Sequence, residues 1–496
     1  MDRLELLKTI SFGARVAEDE LNELGSYFVE TDQWERIYNG EIDVVKGDKG
    51  AGKSAIYSLL SAKSDELFDK RILLITAEEP RGTPVFKELV ADPPAAEAQF
   101  VGLWKLYLLS LIGEKLRDFG IKNDPAKRLI DHLSQQGLIS KSFDLRALLS
   151  LARQYAQRYF SPTIETSMTI EPTTGAPVFT GKITPGEPRA DQNSAGFVSV
   201  DSLAVLAEKA LREANFEIWI LLDRLDVAFA ETHDLERNAL RALFRVYRDF
   251  SAHDHIRLKI FLRTDIWSRI VETGFREASH ITRDVTLTWS KNALLNLIIR
   301  RVLKNSALVA DHGIDRSAVL RNFPAQNELF YKLFPEQVDQ GAKKPSTLDW
   351  IISRCADGAD KTAPREVIHL LNSIREQEIA RLERGEQPPQ APQLFDRQVF
   401  KLALPAVSHA KLVSNLYAEY PDLKTNIQLL KGEKTQQSLE TLAKLFDCPI
   451  ADAGKIAEQL VAIGFFQKRA PKDNPIFWVP FIYRDELEMV QGMADE

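Results

Sequence analysis

Two cysteines in 496 residues, Cys355 and Cys448, are too few and too far apart for a disulfide framework, and neither has metal-ligand spacing. Both read as small apolar side chains, and a reducing cytoplasm is the expected compartment. No run approaches the roughly 20 apolar residues that a membrane-spanning helix needs. The start, Met1-Asp2-Arg3-Leu4-Glu5, lacks the basic-then-apolar layout of a signal peptide. Excess charge is missing too: a net charge of −7 and a pI near 5.8 argue against a general nucleic-acid coat, while leaving room for a local basic patch. Nor is there a defensible Ser/His/Asp order or an acid-and-lysine cluster of nuclease spacing. With 44% hydrophobic and 27% charged residues, the chain has the make-up of an ordinary soluble protein of two or three domains.

Against these absences one stretch stands out. Gly47-Asp48-Lys49-Gly50-Ala51-Gly52-Lys53-Ser54 fits the phosphate-loop pattern G-x-x-x-x-G-K-[ST] without a mismatch. Before it, Ile42-Asp43-Val44-Val45 reads as a short strand; after it, Ser54 to Leu60, beginning Ser54-Ala55-Ile56, reads as an apolar-faced helix. Glycines let successive backbone N–H groups curl around phosphates, and the helix N-terminus adds its positive dipole end. Lys53 is then the side chain that reaches the β/γ-phosphates, and the Ser54 hydroxyl a ligand of Mg²⁺. The residues from Gly47 to Ala55 form the expected ATP site.

Phe216 to Asp223 is a continuous apolar run ending in a carboxylate, the pattern of a Walker B strand buried on both faces of a parallel sheet. Asp223 is the expected Mg²⁺ partner. Many such ATPases place a second acid directly after the first; here that position is Arg224, and the next acid is Asp226. Asp226 is either the catalytic base or a helix cap or arginine partner. Leu258 to Leu262 reads as another strand, ending in Arg263-Thr264-Asp265, where a γ-phosphate sensor belongs. Arg263 or Thr264 reads the terminal phosphate, or Arg263 pairs with Asp223 or Asp226. With Arg71 to Thr76 and Val285 to Trp289, these runs supply a five-stranded parallel α/β core.

Lys361-Thr362-Ala363-Pro364-Arg365-Glu366 opens a helix at a proline, with Arg365 in its first turn. In a helical lid such an arginine touches β/γ-phosphates; otherwise it pairs with Glu366 or solvent. The order GDKGAGKS, WILLDRLD, KIFLRTD and PREVIHLLN resembles the AAA-like P-loop ATPases of the STAND, KAP and Orc1/Cdc6-like group, within a bacterial P-loop ATPase family that also matches FGARVAEDE, YFVET and FWVPFIYRDEL. The resemblance covers most of the chain. It implies a helical lead-in at 1–40, an ATPase core at 41–305, a helical lid at 306–386, a linker at 387–393 and a C-terminal winged-helix domain at 394–496. It also implies, by association, bacterial stress or antiviral defence. Two departures stand out: Asp223-Arg224 replaces the usual acidic pair, and roughly 160 residues separate the two Walker motifs.

That long segment has helical spacing from about 95 to 160 and then, at 161–186, the alternation of a protruding β-hairpin. The hairpin is either an arm for a partner or a decorative insert. After Walker B, Arg237, Arg241, Arg245 and Arg248 share one helix face. They serve as a finger for a neighbouring copy's ATP, or as a solvated face paired with Asp234, Glu236 and Asp249. In the last domain Lys455 and Gln459 stand nearly alone on the third helix, with Lys468, Arg469 and Lys472 on the wing, so a protein-contacting or nucleotide-state-sensing wing is favoured over sequence-specific DNA reading.

Three functions follow. The first is an ATP-driven switch that controls a protein partner, with self-association; the second a DNA-associated ATPase of initiator or loader type; the third a nucleotide-bound scaffold with little turnover.

Overall fold

Apolar runs without alternation need cover on both faces, and four of the five runs are mostly buried, while the edge run at Asp284–Thr286 is half-buried. The computed structural model describes residues 2–14, 25, 28–29, 31–77, 97–139, 145–159, 169–170, 177–178, 183–184, 197–225, 233–272, 274–469 and 475–494. Its main sheet consists of β1 (Val44–Gly47), β2 (Ile72–Thr76), β3 (Glu217–Leu222), β4 (Ile256–Arg263) and β5 (Asp284–Thr286). Every pairing is parallel, in the order β2-β3-β4-β1-β5. Thus β4 stands between the strand that feeds the glycine-rich loop and β3, which precedes Asp223. This is the AAA-like parallel P-loop core that the sequence predicts.

Two strand limits differ from the sequence reading. β1 starts at Val44, not Ile42, because the amides of Asp43 and Val44 both donate to the Arg283 carbonyl, at 2.7 and 3.0 Å. β5 ends at Thr286, not Trp289, whose indole is engaged elsewhere.

The segment between the Walker motifs supplies much of the core. Helix Glu97–Asp118 is buried nearly all round, including Trp104, Tyr107 and a run of leucines, and burying each such side chain contributes about 1.5–3 kcal/mol. It packs on helices Leu145–Tyr159 and His233–Phe250, and Trp104 Nε1 donates to the Ala239 carbonyl at 2.9 Å. Asn123 caps helix Asp124–Gln135 through the Ala126 amide. Of the predicted hairpin, Thr169–Ile170 pairs antiparallel with Pro177–Val178, while Ile183–Thr184 pairs parallel with Val198–Ser199. The remainder of 161–186 lies outside the described residues.

By contacts the chain divides into a core unit, Asp32–Gly47 with Lys53–Thr286, and a second unit, Met1–Thr31, Asp48–Gly52 and Leu287–Glu496. The second unit buries Phe330, Phe334, Trp350, Phe395 and Phe400 among helices Lys291–Lys304, Phe323–Leu333, Thr347–Cys355, Pro364–Glu383 and Arg397–Leu402. Helix Arg3–Thr9 lies on Pro364–Glu383, where Arg375 Nε donates to the Leu7 carbonyl at 3.0 Å. The C-terminal part is a winged helix: helices Leu439–Leu445 and Ile450–Ala462 against a sheet of β6 (Lys434–Gln437), β7 (Gln467–Arg469), β8 (Ile476–Trp478) and β9 (Val490–Met493). β7 and β8 form the antiparallel wing. β9 adds a strand parallel to β6 that the sequence reading lacks. Among the described residues no helix is long and apolar enough to cross a membrane.

Candidate functional site

β1 ends at Gly47, residues 48–52 turn, and helix Lys53–Ala62 begins at once. The turn needs its glycines: Gly50 and Gly52 have φ of +84° and +101°, values that side-chain-bearing residues rarely adopt. Lys53 Nζ reaches back to the Gly47 carbonyl at 2.8 Å, spanning the loop from its far end to its start. Ser54 and Ala55 follow in the first turn, half-buried. The register pairs Gly47 with Arg263, so the last residue of β4 lies directly beside the mouth of the loop.

Asp223 follows β3 and is only 4% exposed. Arg224, in the place of a second acid, takes a left-handed φ of +55°. Asp226 lies outside the described residues. Arg263 makes a bidentate pair with Asp265, Nε to Oδ1 at 3.0 Å and Nη2 to Oδ2 at 2.8 Å. Asp265, two residues away at the first turn of helix Thr264–Glu272, is a carboxylate partner that the sequence reading does not include.

In the second unit Pro364 occupies the first turn of its helix and Arg365 follows. A Cβ added to Gly50 would lie 3.0 Å from the Arg365 Cβ, so the structure brings this arginine against the loop. Glu366 is buried and receives Lys411 Nζ at 3.1 Å. Burial alone would pull the Lys411 ammonium down; Glu366, Tyr483 and Asp357 outweigh it and raise it well above an ordinary lysine. Arg365, Glu366, His369, Lys411, Ser414 and Asn415 line a cavity of about 150 Å³. The loop's middle residues have further partners absent from the sequence reading. Lys361 pairs with Asp48 at 2.9 Å, Glu419 pairs with Lys49, and Trp289 Nε1 donates to the Ala51 carbonyl at 2.8 Å.

On the helix after Walker B, Arg241 donates to the carbonyls of Ile270 and Gly274, and Arg245 pairs with Glu97 and Glu277. Glu236 pairs with Arg269, and Asp249 with Lys105. On the winged helix Lys455 pairs with Asp452 at 2.9 Å, Lys468 with Glu458, and Arg469 stacks 3.6 Å over the Trp478 ring. Lys472 lies outside the described residues.

These side chains suit a magnesium nucleotide. The loop has two left-handed glycines, a lysine that spans it and a hydroxyl at the helix start, and a buried carboxylate lies one residue past β3. Among the described residues no three His, Cys, Asp or Glu side chains gather as a metal site.

No family profile and no curated protein matches the sequence. Among solved structures, the chain is similar to the Aeropyrum pernix ORC2 protein in its ADPNP–ADP complexes, at 13% identity, 92% coverage of each chain and a TM-score of 0.30. It is similar to the ADP form of that protein at 12% identity, 91% and 90% coverage and a TM-score of 0.31. Such scores carry no weight for function, and the fold stands on the sheet order and the loop.

Proposed function

We propose that this chain binds ATP with Mg²⁺ at Gly47–Ala55 and acts as a slow ATPase switch that controls a protein partner. The observation that carries this reading is the loop between β1 and helix Lys53–Ala62, with Gly50 and Gly52 left-handed and Lys53 bridging to the Gly47 carbonyl. In the proposal the loop amides and Lys53 take the phosphates, Ser54 and Asp223 hold the metal, Arg263 senses the terminal phosphate, and Arg365 contacts it from the lid. Bound Mg²⁺ would supply neutralisation of the charge on the β- and γ-oxygens. Asp226 is the proposed base. Slow turnover is part of the proposal, because Arg224 occupies the usual position of the acid that orients water.

A partner protein is favoured over duplex DNA by the pairing of Lys455 and Lys468 with acids of their own domain, so that among the described residues of the third helix and wing these two lysines are offset by neighbouring acids. A role in stress or antiviral defence is the widest reach of the proposal and rests on resemblance alone.

Calorimetric titration with MgATP tests the site. Lys53→Ala is expected to weaken binding about 100-fold, about 3 kcal/mol, the upper range of charge-assisted hydrogen bonds. An unchanged affinity removes the nucleotide site. Single-turnover hydrolysis then separates the switch from a scaffold: wild-type turnover lost in Asp223→Asn supports the switch, whereas tight ATP retention without turnover in the wild type replaces it with the scaffold.

A further inference from the structure

The middle of the phosphate loop, Asp48–Gly52, belongs by its contacts to the second unit, while Gly47 and Lys53 belong to the core. Four contacts tie it there. Lys361 pairs with Asp48, Glu419 pairs with Lys49, and Trp289 holds the Ala51 carbonyl. Gly50 lies so near Pro364–Glu383 that a Cβ would meet Arg365 at 3.0 Å and Glu366 Oε2 at 3.5 Å. None of the four uses Lys53 or Ser54, the side chains assigned to phosphate and metal.

Of these contacts, the one on Lys49 has a chemistry of its own. Its partner is an anion, presented by the last residue of the short helix Tyr417–Glu419. A carboxylate and a phosphate oxygen are alternative acceptors for one ammonium, and a lysine answers either as a point charge on a flexible stem. Lys49 keeps 38% of its side chain exposed and Glu419 only 17%, so the lysine is the member free to swing.

We infer that Glu419 is a positioning residue for the phosphate loop, competing with the terminal phosphate of a bound nucleotide for Lys49. The inference rests on the nucleotide reading above. A triphosphate draws Lys49 away from Glu419; a diphosphate leaves the pair closed. The C-terminal region thereby reads the third phosphate through the loop itself.

The test is titration of the full chain with MgATP and MgADP. Glu419→Gln removes the competing charge and keeps the shape. ATP affinity is expected to rise about 3- to 5-fold, the worth of a partly exposed ion pair, with ADP affinity unchanged. Lys49→Gln approaches the pair from its exposed member and is expected to narrow the gap between ATP and ADP affinities, the other terminal-phosphate contacts remaining. In Lys49→Gln/Glu419→Gln, the gain from Glu419→Gln is expected to vanish, because the two act through one contact. A wild type that binds neither nucleotide refutes the nucleotide site itself. A wild type that binds, with Glu419→Gln moving ATP and ADP equally or not at all, overturns the competition alone.

Discussion

The two ends of β1 carry charge to different purposes. At its start Asp43 is buried and enclosed by cations: Lys259 at 2.9 Å, Arg283 at 2.6 Å, with the Tyr247 hydroxyl at 3.4 Å. Lys259 has no exposed surface, also donates to the Ile42 carbonyl, and lies 4.3 Å over the Trp219 ring. At the far end Gly47 opens a glycine-shaped loop, with Lys53 and Ser54 half-buried and Arg263 alongside. Lys259 belongs to the first cluster, and burial pulls it down to about 8 against the opposing pull of Asp43. The loop is marked by backbone shape at the carboxyl end of a strand.

The largest effect that would sharpen this contrast is on stability. Lys259→Met leaves a buried carboxylate short of one cation and is expected to cost about 3–5 kcal/mol, read from the denaturant transition that melts the sheet. Nucleotide affinity of the folded fraction should stay within about twofold, a few tenths of a kcal/mol. Lys53→Ala should do the reverse, losing affinity as set out above while moving stability by no more than about 0.5 kcal/mol, as at ordinary half-exposed positions. Were Lys259→Met to weaken nucleotide binding with stability intact, the division between architecture at one end and chemistry at the other would collapse.

The same contrast explains what the sequence could reveal. The five strands and the loop were legible because each is a local pattern: apolar runs of strand length, and eight residues whose spacing is itself the mechanism. The limits of β1 were not, since Asp43 is fixed by Lys259 and Arg283, which lie 216 and 240 residues away. Nothing local announces such partners. The Asp265 partner of Arg263 was within reach, two residues off, but a reading that seeks a sensor looks across the sheet rather than along the chain. Trp289, Lys361 and Glu419 reach the loop only through the folding of the second unit, and Glu419 carries no signal of its own in sequence.

A smaller effect tests the packing beneath the Asp43 cluster. Gly40 has a φ of +77°, and a Cβ there would lie 2.8 Å from Trp219 Cζ2, the same ring that Lys259 covers. Gly40→Ala combines backbone strain with overpacking and is expected to destabilise the sheet by about 2 kcal/mol in the same denaturant transition. A neutral outcome would mean that the ring moves aside freely, and that the enclosure of Lys259 owes nothing to Trp219.

The smallest effect concerns pH and separates two accounts of the Lys259–Asp43 pair. If attraction to Asp43 dominated, the folded chain would hold the lysine proton more tightly than the unfolded one, and stability would fall as pH rose. Burial dominates instead, so the folded pKa of about 8 lies below the unfolded 10.5. Between those values the unfolded chain binds the proton that the folded chain has released, and unfolding becomes harder as pH rises. The free energy of unfolding of the wild type, less that of Lys259→Met, should therefore increase by about 1 kcal/mol between pH 7 and pH 9. Taking the difference cancels the titrating groups remote from the pair. A difference that shrinks over this range would make the pair an attractive clamp rather than a charge tolerated at the cost of its burial.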